Sequence, residues 1–263
     1  MPLKGVGIAK WKNSKAKITF VSYFFNVVEN SKAYESRYWG ELPSLLSQSK
    51  VSSNWLHLHV GGDGSPTVFQ TRKLLNKFNQ LKDDKQTHTS LYSFMSLTTI
   101  FKVMTSYLKL LSMEHSISNK INIKSDFLWP CFKLDCQKSL SGTVAMSNLL
   151  FLHLFEKAMQ TIPKQEKGFY LQENQSWEFS LIYFWMFFKH AENLVGIPHS
   201  TVRFWDLRYF FDPRSYNKTI NSLPRPNFVG INGHLSKGIY PVSYTHLRAH
   251  ETVLDLVCRL LLE

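Results

Sequence analysis

The chain of 263 residues has only three cysteines, Cys131, Cys136 and Cys258. Cys131 and Cys136 enclose a Phe-Lys-Leu-Asp spacer, and no further Cys or His stands at metal-ligand spacing. A zinc module and a disulfide scaffold are both excluded, and reduced thiols of a cytosolic protein are the plain reading. Long apolar runs are missing too. "FSLIYFWMFF" (Phe179 to Phe188) comes nearest and falls well short of the ~18 residues of a membrane span. The basic N-terminus "MPLKGVGIAKWKNSKAK" has no apolar signal core. The expected location is therefore cytoplasmic, soluble or peripheral at a membrane. There is no HExxH, no Walker motif, no GxGxxG, no nucleophile elbow with a Ser-His-Asp order, and no internal repeat. Neither a cofactor nor a metal site is expected.

Acidic residues are also few: 19 against 31 basic ones, for a net charge of +12. The segment from Val242 onward carries −1, so +13 resides on the first 241 residues. Such an excess suits an anionic partner: nucleic acid, acidic lipid headgroups or phosphorylated small molecules. The cations are scattered, with no dense Lys/Arg block and no aromatic RNA-binding signature, so nucleic acid is not favoured.

What is present is 44% hydrophobic and 14% aromatic, enough for a substantial core. "KITFVSYFFNVV" (Lys17 to Val28) and "NWLHLHV" (Asn54 to Val60) read as strands. The turn cluster "GGDGSP" follows, then helical spacing over Val68 to Leu81. Leu91 to Leu111 puts Phe94, Leu97, Phe101, Met104, Leu108 and Leu111 on one helical face. Core packing is the default for such a stripe. A membrane-surface helix is the alternative, because the polar face is uncharged or basic.

A helix over Ser147 to Ile162 stops at Pro163. Then come a strand and turn (Gly168 to Asn174), a helix (Ser176 to Ala191), a strand (Asn193 to His199), a long loop, and a strand with its turn (Pro226 to Gly233). The alternation predicts an α/β fold, a Rossmann-like parallel sheet with helices on both faces.

Ligands bind such sheets at the carboxyl ends of strands. "QENQSWE" sets Glu173, Asn174 and Gln175 at a strand end, with Trp177 and Glu178 in the first helical turn. A capped helix start accounts for Ser176 and Glu178 but not for the whole polar cluster. "PHSTVRFWDLRYF" brings His199 and Ser200 to the next strand end, with Arg203 and Arg208 as forks for phosphate or carboxylate. Asp206 can pair with either arginine, so an Arg–Asp–Arg lattice holding the loop is the structural alternative. "INGHLSK" adds only Gly233 and Lys237, a weak signal.

The segments "YLQENQSWE", "GIPHSTVRFWDLRYFFDPRSY" and "PNFVGING" resemble glycosyltransferase-like proteins of bacterial surface-carbohydrate biosynthesis, encoded with O-antigen and capsule genes. "YFFN", "YWGELPSLL", "NWLHLHV" and "LWPCFKLD" extend the resemblance over roughly Ile18 to Gly233. It implies the N-terminal half of a two-domain GT-B-type enzyme. A sugar nucleotide would be the donor and a glycan or lipid-linked molecule the acceptor. No metal would be required; the basic charge, independently of the resemblance, suits peripheral contact with an anionic membrane surface. The motif positions carried over are Glu173, Trp177, Glu178, His199, Ser200, Arg203, Asp206 and Arg208, with Asn174 and Gln175 beside them. Glu173 or His199 is the expected general base for an acceptor hydroxyl. Arg203 and Arg208 are expected to hold a phosphate or sugar carboxylate. The alternative is a non-catalytic carbohydrate- or anionic-lipid-binding module.

The resemblance ends near Gly233, leaving 30 residues where a second Rossmann half needs well over ~100. Residues 1–240 therefore read as an incomplete Rossmann-like domain, and this chain by itself is expected to be inactive. "VSYTHLRAHET" and "LVCRLLLE" match the in-frame translation of a transposon-based sequencing adapter, with Val253 to Asp255 where an index is read. Residues 241–263 are thus expected to be a non-native helical tail in which His246, His250 and Cys258 carry no chemistry.

Overall fold

The computed structural model describes residues 2–25, 27, 33–62, 65–81, 85–120, 129–198 and 223–230. Six strands form one sheet: β1 (Ile18–Tyr23), β2 (Ser53–Leu58), β3 (Gln86–Ser90), β4 (Lys167–Gln172), β5 (Leu194–Pro198) and β6 (Phe228–Val229). Their order is β3-β2-β1-β4-β5-β6 and every neighbouring pair is parallel. This is the strand order of a Rossmann-type sheet.

The period-two alternation of the strands divides the core into two layers. Phe20, Trp55, Phe169, Leu171, Val195 and Ile197 face one side, with α2 (Leu42–Gln48) and α3 (Val68–Gln80) packed over them. Val21, Leu56, Leu58, Tyr170 and Leu194 face the other. There they meet Trp11 of α1 (Ile8–Lys12), Phe155 of α6 (Gly142–Thr161), and Leu181 and Trp185 of α7 (Ser176–Phe187). Helices cover both faces, as the alternation predicts. Phe20 at the sheet centre stacks on Trp55 at 4.4 Å and on Phe169 at 5.1 Å, tying β2, β1 and β4 together. Losing so buried a ring costs about 3–5 kcal/mol. Gly168 at the start of β4 has no space to spare: a Cβ there would lie 2.5 Å from the Trp185 ring.

Several elements depart from the sequence pattern. Leu91 to Leu111 is not one helix. A 3-10 turn (Leu91–Phe94) precedes α4 (Leu97–Lys120). Only Phe94 of the expected core stripe is buried. Leu97, Phe101 and Leu108 are 81%, 70% and 62% exposed, and Val103 packs inward instead. The default of core packing fails there. Helix α5 (Trp129–Leu140) and the short α1 and α2 were not anticipated, and α6 starts at Gly142 rather than Ser147.

Edge strand β3, "QTHTS", was also missed because it has no aliphatic residue. It is nonetheless largely buried, and hydrogen bonds hold several of its polar groups. Asn79 of α3 straps it: the His88 N–H donates to Asn79 Oδ1 at 2.9 Å, and Asn79 Nδ2 donates to the His88 carbonyl at 2.6 Å. Thr89 Oγ1 donates to the Val6 carbonyl at 2.7 Å. The N-terminal segment closes over this edge at Gly7, whose φ is +73°. A Cβ on Gly7 would sit 2.2 Å from the His88 carbonyl oxygen.

The face covered by α2 and α3 holds an enclosed imidazole pair. His57 Nε2 lies 3.1 Å from His88 Nδ1, and the rings are 5° from parallel. Tyr34 stands edge-on to both, at 5.2 and 4.9 Å.

Candidate functional site

The chain winds outward from β1 toward β3 and outward from β4 toward β6. Helices following these two strands therefore depart in opposite directions, leaving a crevice at the carboxyl ends of β1 and β4. Tyr23 closes β1 and Gln172 closes β4 at this switch point.

A chain of hydrogen bonds spans the crevice. Trp177 Nε1 donates to Tyr23 Oη at 3.0 Å, and Tyr23 Oη donates to Glu173 Oε2 at 3.1 Å. Burial, then the charge of Glu173, pushes the Tyr23 phenol well above its ordinary range. The hydroxyl accordingly stays protonated and keeps its donor role. Trp177 is fixed by stacking on Phe155 at 5.8 Å and by the edge of Tyr170 at 6.2 Å. Its indole is buried, so it orients Tyr23 rather than offering a surface.

The turn from β4 into α7 is built by its own polar residues. Asn174 adopts φ +55°, a left-handed conformation that asparagine tolerates better than most residues. Its Oδ1 accepts from Gln172 Nε2 at 3.1 Å. Glu178 Oε1 accepts from the N–H groups of Glu173 (2.8 Å) and Gln175 (2.9 Å). This buried carboxylate thus holds the first turn of α7 and fixes the backbone that carries Glu173. Ser176 Oγ donates to Asn148 Oδ1 at 2.7 Å, tying the turn to α6.

Sequence reasoning brought Glu173, Asn174, Gln175, Trp177 and Glu178 to one place, and they are together here. His199, Ser200, Arg203, Asp206 and Arg208 lie outside the described residues, as do Gly233, Lys237 and residues 241–263. Pro198, the last described residue before them, pairs with Gln172. Three residues were missed. Tyr23 could have been found as the final residue of the first strand. Half-buried Tyr38 lies 6.4 Å from Tyr23 and extends its aromatic surface. Arg225, between Pro224 and Pro226, lines a narrow crevice with Asn174, Glu178 and Phe179. The "PRP" triplet marks a stiff segment and was its only signal.

Chemically, the site sets a half-buried carboxylate at the switch point, with one oxygen held by a neutral phenol and a helix N-terminus behind it. The helix end favours negative charge there. Glu173 can accept a proton from, or a hydrogen bond of, a ligand hydroxyl. Half-buried Tyr23 and Tyr38 add flat amphipathic rings beside it. Among the described residues, no group of three or more His, Cys, Asp or Glu could hold a metal ion. No helix among them is long and apolar enough to cross a membrane.

Fold and crevice together define an α/β protein of Rossmann-like type with a polar-aromatic site at its switch point. No protein-family model matches the chain, and no curated protein or solved structure matches it significantly.

Proposed function

We propose that the crevice between β1 and β4 binds a glycan or lipid-linked acceptor, and that the protein serves glycosyl transfer from a sugar nucleotide in bacterial surface-polysaccharide assembly. The observation that carries the reading is the Trp177–Tyr23–Glu173 chain across the switch point. The resemblance of the segment around Glu173 to surface-carbohydrate proteins supplies the reaction class; the fold alone would admit many.

In this reading the acceptor hydroxyl hydrogen-bonds to Glu173. As its oxygen attacks the anomeric carbon, the bond from that carbon to the nucleotide's phosphate breaks. The proton passes to Glu173 and the nucleotide leaves with the electron pair. Tyr23 holds the carboxylate in place, and the half-buried ring of Tyr38 packs against the sugar. Arg225 is a cation near enough to meet a phosphate or sugar acid.

Binding tests this without requiring turnover. Short O-antigen oligosaccharides and nucleotide sugars are titrated against the chain while tryptophan fluorescence is followed, with Trp177→Phe assigning the signal. An acceptor glycan should change the Trp177 signal. Tyr23→Phe and Glu173→Gln should each weaken that binding about tenfold, the loss of one hydrogen bond to a charged group. No response from any glycan, or equal affinity in Glu173→Gln, would sink the reading. Binding without transfer by the chain together with any donor-binding partner would favour a carbohydrate-binding module.

A further inference from the structure

Helix α4 presents its apolar stripe outward. Leu97, Phe101, Met104 and Leu108 recur at helical spacing, and all four are exposed on one side of the molecule. An apolar cavity of about 630 Å³ opens beside this stripe between α4 and α6, lined by Ile100, Val103, Met104, Met146 and Leu150 among others. That volume is within the range of sites for small apolar ligands. Stripe and cavity share Met104, so they form one continuous apolar surface.

The charge around it has one prevailing sign. Lys109 is exposed on α4, and Lys133 and Lys138 on neighbouring α5, while Lys102 of α4 is paired with Glu156 of α6 at 2.9 Å. Glu114 is the sole acid of α4 and is half-buried. On α5, Asp135 is the sole acid. A second copy of the chain would bring the same excess of cations to a self-paired contact, with Glu114 and Asp135 as the only acids of α4 and α5 to offset them. An anionic headgroup layer offers both complements at once: negative charge for the lysines and hydrocarbon for the stripe.

We propose that the α4–α5 face, with the α4/α6 cavity, docks the protein on an anionic phospholipid surface. Leu97, Phe101 and Leu108 enter the acyl boundary, Lys109, Lys133 and Lys138 contact headgroup phosphates, and the cavity receives part of one acyl chain. Helix α4 lies flat in the interface, since it is far too polar to span it.

The test is co-sedimentation of the full chain with vesicles of phosphatidylcholine alone and with about a third phosphatidylglycerol. Binding should require the anionic lipid and weaken with salt. Leu97→Ser with Phe101→Ser should reduce the partition coefficient about tenfold or more while leaving circular dichroism unchanged, because both side chains are exposed. Lys109→Glu with Lys133→Glu should abolish the preference for anionic vesicles. Unchanged binding in the Leu97/Phe101 variant, or no binding to any vesicle, would overturn the proposal. So would a concentration-dependent dimer that the Leu97/Phe101 substitutions dissociate, since it would make the face a protein interface.

Discussion

The enclosed pair His57 and His88 makes a quantitative statement about acid stability. Burial lowers the His57 pKa to about 3, and burial, the neighbouring imidazole and Lys10 hold His88 well below its ordinary range. Tyr34 packs against both rings, Phe24 against His57 and Phe78 against His88. The folded chain therefore keeps both imidazoles neutral, whereas the unfolded chain protonates them below about 6.5. Stability is then full above that pH and declines as pH falls toward 3, because only the unfolded state takes up protons. At pH 5 each such histidine costs about 2 kcal/mol, or about 4 kcal/mol for the pair. That is a large share of the ~5–15 kcal/mol of a typical domain. His190 and partly exposed His59 are shifted the same way and add to the slope. Urea denaturation of the full chain at steps between pH 7.5 and 5 measures it, in a window above most carboxylate titration. Substituting both residues, His57→Gln with His88→Gln, should flatten much of the profile whatever its effect on absolute stability. A wild-type midpoint that is level from pH 7 to 5 would refute the reasoning, and so would an equal slope in the double variant.

Two further substitutions probe how the site and the sheet edge are held. Gly7→Ala should destabilise by roughly 2–4 kcal/mol, combining left-handed backbone strain with the clash against the His88 carbonyl; a melting temperature within a degree of wild type would be incompatible with that packing. Glu178→Gln should weaken the first turn of α7 by about 1–2 kcal/mol, and amide exchange at Glu173 and Gln175, the two donors it holds, should accelerate more than elsewhere in the helix.

Where the sequence pattern was readable, it was because one physical demand dominated. Strands β1, β2, β4 and β5 are buried on both faces, so each has a run of aromatic, aliphatic or β-branched residues on both sides that announces it. Edge strand β3 was hidden because its burial rests on hydrogen bonds between Asn79 and the His88 backbone, from Thr89 to the Val6 carbonyl and between two imidazoles, which leave no hydropathy signal. Helix α4 failed differently. Its 3.6-residue period identified an apolar face correctly, but periodicity does not say whether that face meets the protein or something else. The inward side uses Thr99 and Val103, too few residues to compete with Leu97, Phe101 and Leu108 for attention.

The site shows the same division. Its β4 half was legible because Glu173, Asn174, Gln175, Trp177 and Glu178 are contiguous, and a polar cluster after an apolar strand stands out. Its β1 half was not. Tyr23 reads as one more aromatic in "FVSYFF", and only the strand order sets β1 beside β4 and gives its hydroxyl a carboxylate and an indole as partners. Topology, not local pattern, decides which strand-end residues meet. A polar aromatic closing the first strand of such a sheet therefore has a claim to the site that no local spacing can reveal. Here that claim separates Glu178, whose carboxylate is engaged in holding the turn, from Glu173, whose half-buried carboxylate is held by Tyr23 across the switch point.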